Sequence, residues 1–398
     1  MTTSVIVLSH RPGEWLVRCL ESLTTQADEV VLVDNASPNG EASTIGAKAG
    51  VMVIRSPTNR GFAGGVNLGL SHATGDVVAL LNDDAVAGAG WLRSASELLE
   101  DPAVAAVTPK VRLDGWWREV VLDDPAWFAP GDARPLGRQV CSVTVDGTDV
   151  LGALGGAGIH QLEHQPDDDS RRWRWTAGAR PFYVPLKGPD GDGQILVDGT
   201  EPPPGPRCRL INNAGSFLRL DGYLGDHGLE APDDGRFDDP AERFSASGTA
   251  LVARAATFAR LGGLAEPYFA YYEDSDWSWR ARLAGLRLVY DPRTSVEHRR
   301  SATSGGVSDP WVHRLGERNR LLTVVRNAPG PVAARLVGRR LREGPDQGIR
   351  RAVLARLPWA LATRAALSRR WELRPAQVWE RWAGAGVTWD DGPCRTGS

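Results

Sequence analysis

The chain has 398 residues, is 42% apolar and 24% charged, and carries a formal net charge of −3. That length allows two or three domains of about 100–200 residues each. The composition is that of a folded globular protein and excludes wholesale disorder and collagen-like repeats, while the near-neutral charge argues against a globally basic nucleic-acid binder, so no nucleic-acid partner is expected. The charge is unevenly divided: residues 311–398 hold 17 basic and 7 acidic residues, whereas residues 1–310 hold 29 and 42. The four cysteines, Cys19, Cys141, Cys208 and Cys394, form no Cys-x-x-Cys pair, which argues against a disulfide scaffold or a zinc site.

In chain order, Val5-Ile6-Val7-Leu8 reads as a buried strand rather than the h-region of a signal peptide. Trp15–Leu23 has helical spacing, with Leu16, Leu20 and Leu23 on one face. Glu29–Val33 is a strand ending at Asp34, Val51–Ile54 a short strand, Gly64–His72 a helix, Val77–Leu81 a strand and Trp91–Leu99 a helix. Short apolar strands alternating with helices predict a parallel sheet covered on both faces, with ligands at the carboxyl ends of its strands. From about Gly115 to Arg207 the helical period disappears and Val140–Val145, Arg171–Trp175 and Ile195–Val197 alternate, predicting a β-rich insertion. It holds Trp116, Trp117, Trp127, Trp173 and Trp175, which read as core residues or, less simply, as a sugar-stacking surface. Helices are then expected at Ala250–Leu261 and Tyr271–Leu283, and a strand at Arg287–Tyr290. Beyond Trp311 the chain reads as helical and basic up to about Trp382, broken at Pro329–Pro331 and frayed over the last ten or so residues.

Four stretches carry candidate chemistry. The strand Val77–Leu81 runs into Asn82-Asp83-Asp84, two carboxylates that suit a divalent cation shared with a phosphate or, equally, an Asn/Asp turn. Asn59–Asn67 is a Gly-rich loop entering a helix, where backbone amides favour anions. Glu273-Asp274-Ser275-Asp276 puts three carboxylates at a helix start, as dipole-favoured caps or as a general base. His298 follows the last strand, structural or part of a metal site.

Singly these are ambiguous; their order is not. With Val33-Asp34-Asn35-Ala36-Ser37, Asn212-Asn213-Ala214-Gly215, Phe244–Gly248 and Tyr290–His298, the chain resembles the family 2 glycosyltransferases of GT-A fold over about residues 1–112 and 208–325. The nearest branch is that of actinobacterial rhamnosyltransferase- and galactofuranosyltransferase-like enzymes. The fold expected is therefore α/β, a Rossmann-like, mainly parallel sheet flanked by helices. The expected division is a GT-A domain in residues 1–114 and 208–310, the insertion at 115–207, and a basic helical region at 311–398. The resemblance implies that Ser9, Asp34, Arg60, Asn67 and Asp83 line the nucleotide-sugar pocket, Asp34 facing the base. It implies Asp84 and His298 as ligands of Mg²⁺ or Mn²⁺, Asp274 as catalytic base and Glu273 as the residue that helps place the acceptor, with Asp276 structural. The first Asp of the Asp-x-Asp motif is Asn82 here, which leaves that position's role open. The processive-synthase motif is absent after His298.

The implied activity is inverting, metal-dependent, non-processive transfer from a UDP- or dTDP-linked sugar to a hydroxyl of a glycan or lipid-linked acceptor in cell-envelope polysaccharide synthesis. A catalytically silent GT-A sugar-binding or scaffolding protein is the alternative. A sugar-nucleotide pyrophosphorylase would need a Gly-x-Gly-x-Arg loop where Ser9-His10-Arg11-Pro12-Gly13 stands. A cytoplasmic location is expected, because no charge-free apolar stretch reaches the roughly 18 residues of a membrane span. The basic helices at the C-terminus either lie on an anionic membrane surface or pack on the catalytic domain or a second copy in a homo-oligomer; the sequence leaves these open.

Overall fold

The computed structural model describes residues 1–165, 168–188, 193–299, 310–343 and 347–385. The residues read as frayed at the C-terminus lie outside this set. The described residues divide into two compact units: one of Met1–Val111, Asn213–His227 and the described residues from Asp238 on, and one of Arg112–Asn212 with Gly228–Phe237.

The first unit is built on one sheet. Strands β1 (Thr3–Ser9), β2 (Glu29–Asn35), β3 (Met52–Ser56) and β4 (Val77–Asn82) run parallel in the order β3-β2-β1-β4. Beyond β4 come the antiparallel strand Ala250–Arg254, β6 (Val104–Leu113), the long strand Arg287–His298 and the short edge strand Ala241–Glu242. Between them lie α1 (Glu14–Leu23), α2 (Glu41–Ala49), α3 (Gly61–Leu70) and α4 (Trp91–Leu98), and the short strand β5 (Ala85–Ala87). This is the mainly parallel sheet flanked by helices that the sequence predicts. Side chains alternate across it: Val5, Val7, Leu32 and Leu81 pack with Leu16, Leu20 and Trp91 on one face, and Ile6, Val31, Val33 and Leu80 pack with Val66 and Trp277 on the other. Burial on both faces is why these strands read as unbroken apolar runs.

Two expectations change. Ala250–Leu261 is a strand, Ala250–Arg254, followed by helix α5 (Ala255–Leu261). Ala250 and Val252 face one core cluster while Leu251 and Ala253 face the other, the period of two that a short apolar run cannot distinguish from a buried helix by sequence alone. The strand expected at Arg287–Tyr290 continues to His298, because Asp291 is tied down by Ser94 and Arg293 instead of opening a turn.

The second unit is β-rich. Its strands include Trp117–Val120 paired with Phe182–Pro185, and Val143–Val145 paired with Ile195–Val197. They enclose a core of Val120, Val140, Val143, Leu151, Phe182 and Val184. Of the five tryptophans Trp117 is buried, while Trp127 is exposed and meets Trp175 edge-on at 6.1 Å.

Helices α6 (Glu273–Leu283), α7 (Pro310–Asn327), α8 (Gly330–Arg342), α9 (Gln347–Leu367) and α10 (Pro375–Trp382) belong to the first unit. Pro331 stands in the first turn of α8, where its missing N–H costs nothing. The basic excess is partly interior: Arg318, Arg320 and Arg326 of α7 are buried. Among the described residues no helix is long and apolar enough to cross a membrane.

Helix α3 lies against the sheet because its glycines let it. A Cβ on Gly65 would stand 2.2 Å from Leu8 Cδ1; one on Gly61, at φ +68°, would stand 2.3 Å from the Phe269 carbonyl oxygen. Gly61→Ala is expected to destabilise the protein by about 2 kcal/mol or more, from a left-handed residue plus a backbone clash. Gly50→Ala, left-handed at φ +72° but facing open space, should cost only about 1 kcal/mol. Denaturant melts of the two variants check the difference.

Candidate active site

The register of the sheet brings the first group of polar residues to one edge. Ser9 pairs with Asp34 across β1 and β2, and Leu8 pairs with Asn82 across β1 and β4, so Ser9, Asp34 and Asn82-Asp83-Asp84 all stand at carboxyl ends of parallel strands. β5 then pairs with the long strand in the register Ala85 to His298. This sets His298 Nε2 3.1 Å from Asp84 Oδ1, with both side chains 9% exposed. Asn82 Nδ2 lies 3.5 Å from the same nitrogen. Asp83 is half-buried. Burial, and secondarily the Asp84 charge, push its carboxyl up to about 7, against the nearby Ser9 hydroxyl, which favours the ionised form. The Ser9 oxygen itself is buried without a well-formed hydrogen bond among the described residues.

A carboxylate and an imidazole nitrogen converging at this separation suit a divalent cation, and a second carboxylate crowded beside them would be relieved by one. Among the described residues no group of three or more His, Cys, Asp and Glu side chains forms a closed cage. The pair fits an ion that takes its remaining ligands from a substrate, as Mg²⁺ and Mn²⁺ do with phosphates.

The residues expected around the nucleotide are held in place by other protein groups. Asp34 is fully buried. It accepts hydrogen bonds from Ser37 N at 2.7 Å, Ser43 N at 3.2 Å, the Ser43 hydroxyl and Arg55 Nη1 at 2.7 Å. Burial opposes ionisation of Asp34, but these hydrogen bonds and Arg55 outweigh it and hold the carboxyl below its ordinary value. Asn67 Nδ2 donates to Leu264 O at 2.9 Å and to Glu266 Oε1 at 3.1 Å, and Arg60 Nη2 lies 3.4 Å from Glu266. Both therefore tie the Gly-rich helix start to residues 264–266. Asn35 does the matching work on the other side, donating to Asn59 Oδ1 and Gly61 O and accepting from Arg60 N. Sequence reasoning passed over Glu266 and gave Asn35 no role of its own, although Asn35 stands beside Asp34 at the same strand end.

The second acidic group enters through a left-handed backbone. Phe269, Tyr271 and Tyr272 have φ of 68°, 68° and 72°, a conformation that costs non-glycine residues about 1–3 kcal/mol each. Helix α7 holds it: Asn319 Nδ2 donates to the carbonyls of Tyr268, Ala270 and Tyr271 at 3.0, 2.8 and 2.7 Å, and Arg318 Nη2 donates to Tyr268 O at 2.7 Å. Helix α6 starts directly after. Asp274 Oδ2 accepts from Gly248 N at 2.7 Å and Oδ1 from Ser275 N at 2.6 Å. The next residue, Thr249, accepts from Asn82 N at 3.0 Å, so residues 248–249 connect the two acidic groups directly. Burial raises the Asp274 pKa, partly offset by the Gly248 and Ser275 hydrogen bonds. Glu273 is buried with Oε2 unpartnered. Burial, then the charges of Asp274 and Asp276, push its pKa well above the ordinary value. Asp276 is fully buried and paired with Arg280 at 3.0 Å, Arg326 at 2.8 Å and Asn327 at 2.8 Å, a structural hub.

The chain as a whole is similar to several known proteins. The model for glycosyl transferase family 2 matches residues 4–140. Over those residues the chain is similar to the family 2 glycosyltransferases. It is 24% identical to the N-acetylglucosaminyl-diphospho-decaprenol L-rhamnosyltransferase of Mycobacterium tuberculosis, over 78% of this chain and 79% of that protein. It is 36% identical to the pre-mycofactocin glycosyltransferase of the same organism over 110 residues, 27% of this chain and 23% of that protein. A solved structure of GalNAc-T7 with UDP, GalNAc and Mn²⁺ is similar at a TM-score of 0.47 and 15% identity, covering 82% of this chain; the chain spans about half, 48%, of that one.

Two outcomes follow for the acidic site. Asn319→Leu removes the donor shared by the carbonyls of Tyr268, Ala270 and Tyr271, of which Tyr268 keeps Arg318, so a loss of about 2–4 kcal/mol is expected in chemical denaturation. Glu273→Gln tests the buried acid. At acid pH both states of the wild type bind the proton and burial carries no penalty. As pH rises above the ordinary value of 4.5, the unfolded chain ionises first and the folded state loses stability relative to it. The melting temperature of Glu273→Gln relative to wild type should therefore climb between pH 4 and pH 8; a constant difference would contradict a raised Glu273 pKa.

Proposed function

We propose that this chain transfers a sugar from a UDP- or dTDP-linked donor to a hydroxyl of a lipid-linked or glycan acceptor in cell-envelope synthesis, with inversion and without processive elongation. The observation that carries the reading is the bridge through Gly248 and Thr249, which sets the Asp84–His298 pair and Asp274 at one end of the sheet. The acceptor class and the sugar find support in the mycobacterial relative, whose name describes rhamnosyl transfer onto a decaprenol-linked substrate.

Asp274 is the base. Its Oδ2 is fixed by the Gly248 amide and its raised pKa makes it a better proton acceptor than an ordinary aspartate. It takes the proton from the acceptor hydroxyl as that oxygen bonds to the anomeric carbon. The bond from that carbon to the diphosphate breaks on the opposite face, and the nucleoside diphosphate leaves with the electron pair. Glu273, beside it, helps to place the acceptor. Asp84 and His298 would hold a divalent cation, Mg²⁺ or Mn²⁺, whose charge offsets that of the leaving diphosphate. Ser9 and Asp83 line the approach to the ribose, and Asp34, Arg60 and Asn67 set the walls of the nucleotide pocket.

Asp274→Asn should lower turnover by about 10²–10⁴-fold while nucleotide binding by calorimetry stays near wild type. Unchanged turnover would remove Asp274 from the base role. Activity should be lost on chelation with EDTA and regained with Mn²⁺ or Mg²⁺, and His298→Ala should raise the metal concentration needed. Full activity in EDTA would contradict the metal role.

A further inference from the structure

Helix α9 is apolar on two faces, and among the described residues only one of them is covered. Ile349, Val353, Leu357 and Ala360 pack with Leu321, Leu322 and Val325 of α7. On another face Leu354, Pro358, Leu361 and Ala365 recur at helical spacing and are all exposed, Leu354 by 46% and Leu361 by 52%. Exposed Arg350 and Arg351 stand at the N-terminal end of this stripe, and exposed Arg369 and Arg370 just past its C-terminal end. The helix contains no acidic residue. An apolar strip bordered at both ends by cations meets the two requirements of an anionic bilayer surface: acyl chains for the leucines and phosphate headgroups for the guanidinium groups. A protein partner of ordinary composition satisfies the apolar part, but nothing in the strip's own charge selects it.

We propose that the outer face of α9 docks this protein on an anionic lipid bilayer, lying in the interface without crossing it. Because α9 packs on α7, and α7 holds the backbone that delivers Glu273 and Asp274 through Arg318 and Asn319, docking would set the transferase site at a fixed place relative to the lipid surface. The surface itself follows from α9 alone and stands whatever the sugar chemistry proves to be.

The test is flotation of the full chain with vesicles of phosphatidylcholine containing 30% phosphatidylglycerol, and with phosphatidylcholine alone, at low and high salt. Binding is expected to the anionic vesicles at low salt, with at least a roughly tenfold smaller partition on neutral vesicles or at high salt. Leu354→Glu with Leu361→Glu, and separately Arg350→Glu with Arg351→Glu, should each lower partitioning about tenfold or more. Val17→Glu, at another exposed apolar site, should leave it unchanged, and all three variants should keep the wild-type melting temperature within a few degrees. Equal partitioning of the wild type and both α9 variants would overturn the proposal. So would a chain that ignores vesicles and forms a dimer that Leu354→Glu with Leu361→Glu dissociates, since the face would then belong to a second copy.

Discussion

Three of the four residues from Phe269 to Tyr272 sit in the left-handed region of backbone space, and the site depends on their staying there. At about 1–3 kcal/mol each, the segment would relax to an ordinary conformation if nothing opposed it. What opposes it is one amide: Asn319 Nδ2 spans the carbonyls of Tyr268, Ala270 and Tyr271, with Arg318 adding to the first. Asn319 is itself fully buried, so its donor group has no water to turn to. The turn aims the first residues of α6 at the sheet edge, where Asp274 receives the Gly248 amide. The C-terminal helices are thus part of what shapes the acidic site.

The other half of the site depends on strand register. A one-residue slip between β5 and the long strand would turn His298 to the opposite face of the sheet. The register is fixed by Val296 packing in the core beside Ala85 and Ala87. Burial then does two different things to neighbouring carboxyls. Asp276 is fully buried and met by two arginines and an asparagine. Glu273 is buried with an oxygen unpartnered among the described residues, and its pKa is pushed up. A buried charge is tolerated when it is paired, and burial without a partner disfavours the ionised form. The two acids differ in partners within a single turn of helix.

Much of this could be read from the sequence. The parallel strands were legible because burial on both faces leaves unbroken apolar runs such as Val5–Leu8 and Val77–Leu81, and the strand-end carboxylates follow from where those runs stop. The resemblance to family 2 enzymes supplied the roles. Ala250–Leu261 was misread because five strand residues precede seven helical ones without a punctuating residue. Asn319 and Asn35 carried no pattern: an asparagine inside a helix or at a strand end looks the same whether it holds three carbonyls or none. The basic tail was legible in charge but not in use, since Arg318, Arg320 and Arg326 face inward while Arg350 and Arg351 face out.

The claim most exposed to a single measurement is that the strand-end acids bind a nucleotide sugar together with a divalent cation. A ligand that binds only the folded state raises its melting temperature. Thermal melts with UDP-, dTDP- and GDP-linked sugars should show one base that stabilises the protein in the presence of Mn²⁺, with the shift lost in EDTA and in Asp84→Ala. Stabilisation that is indifferent to metal and to Asp84, or none with any donor, would contradict the account.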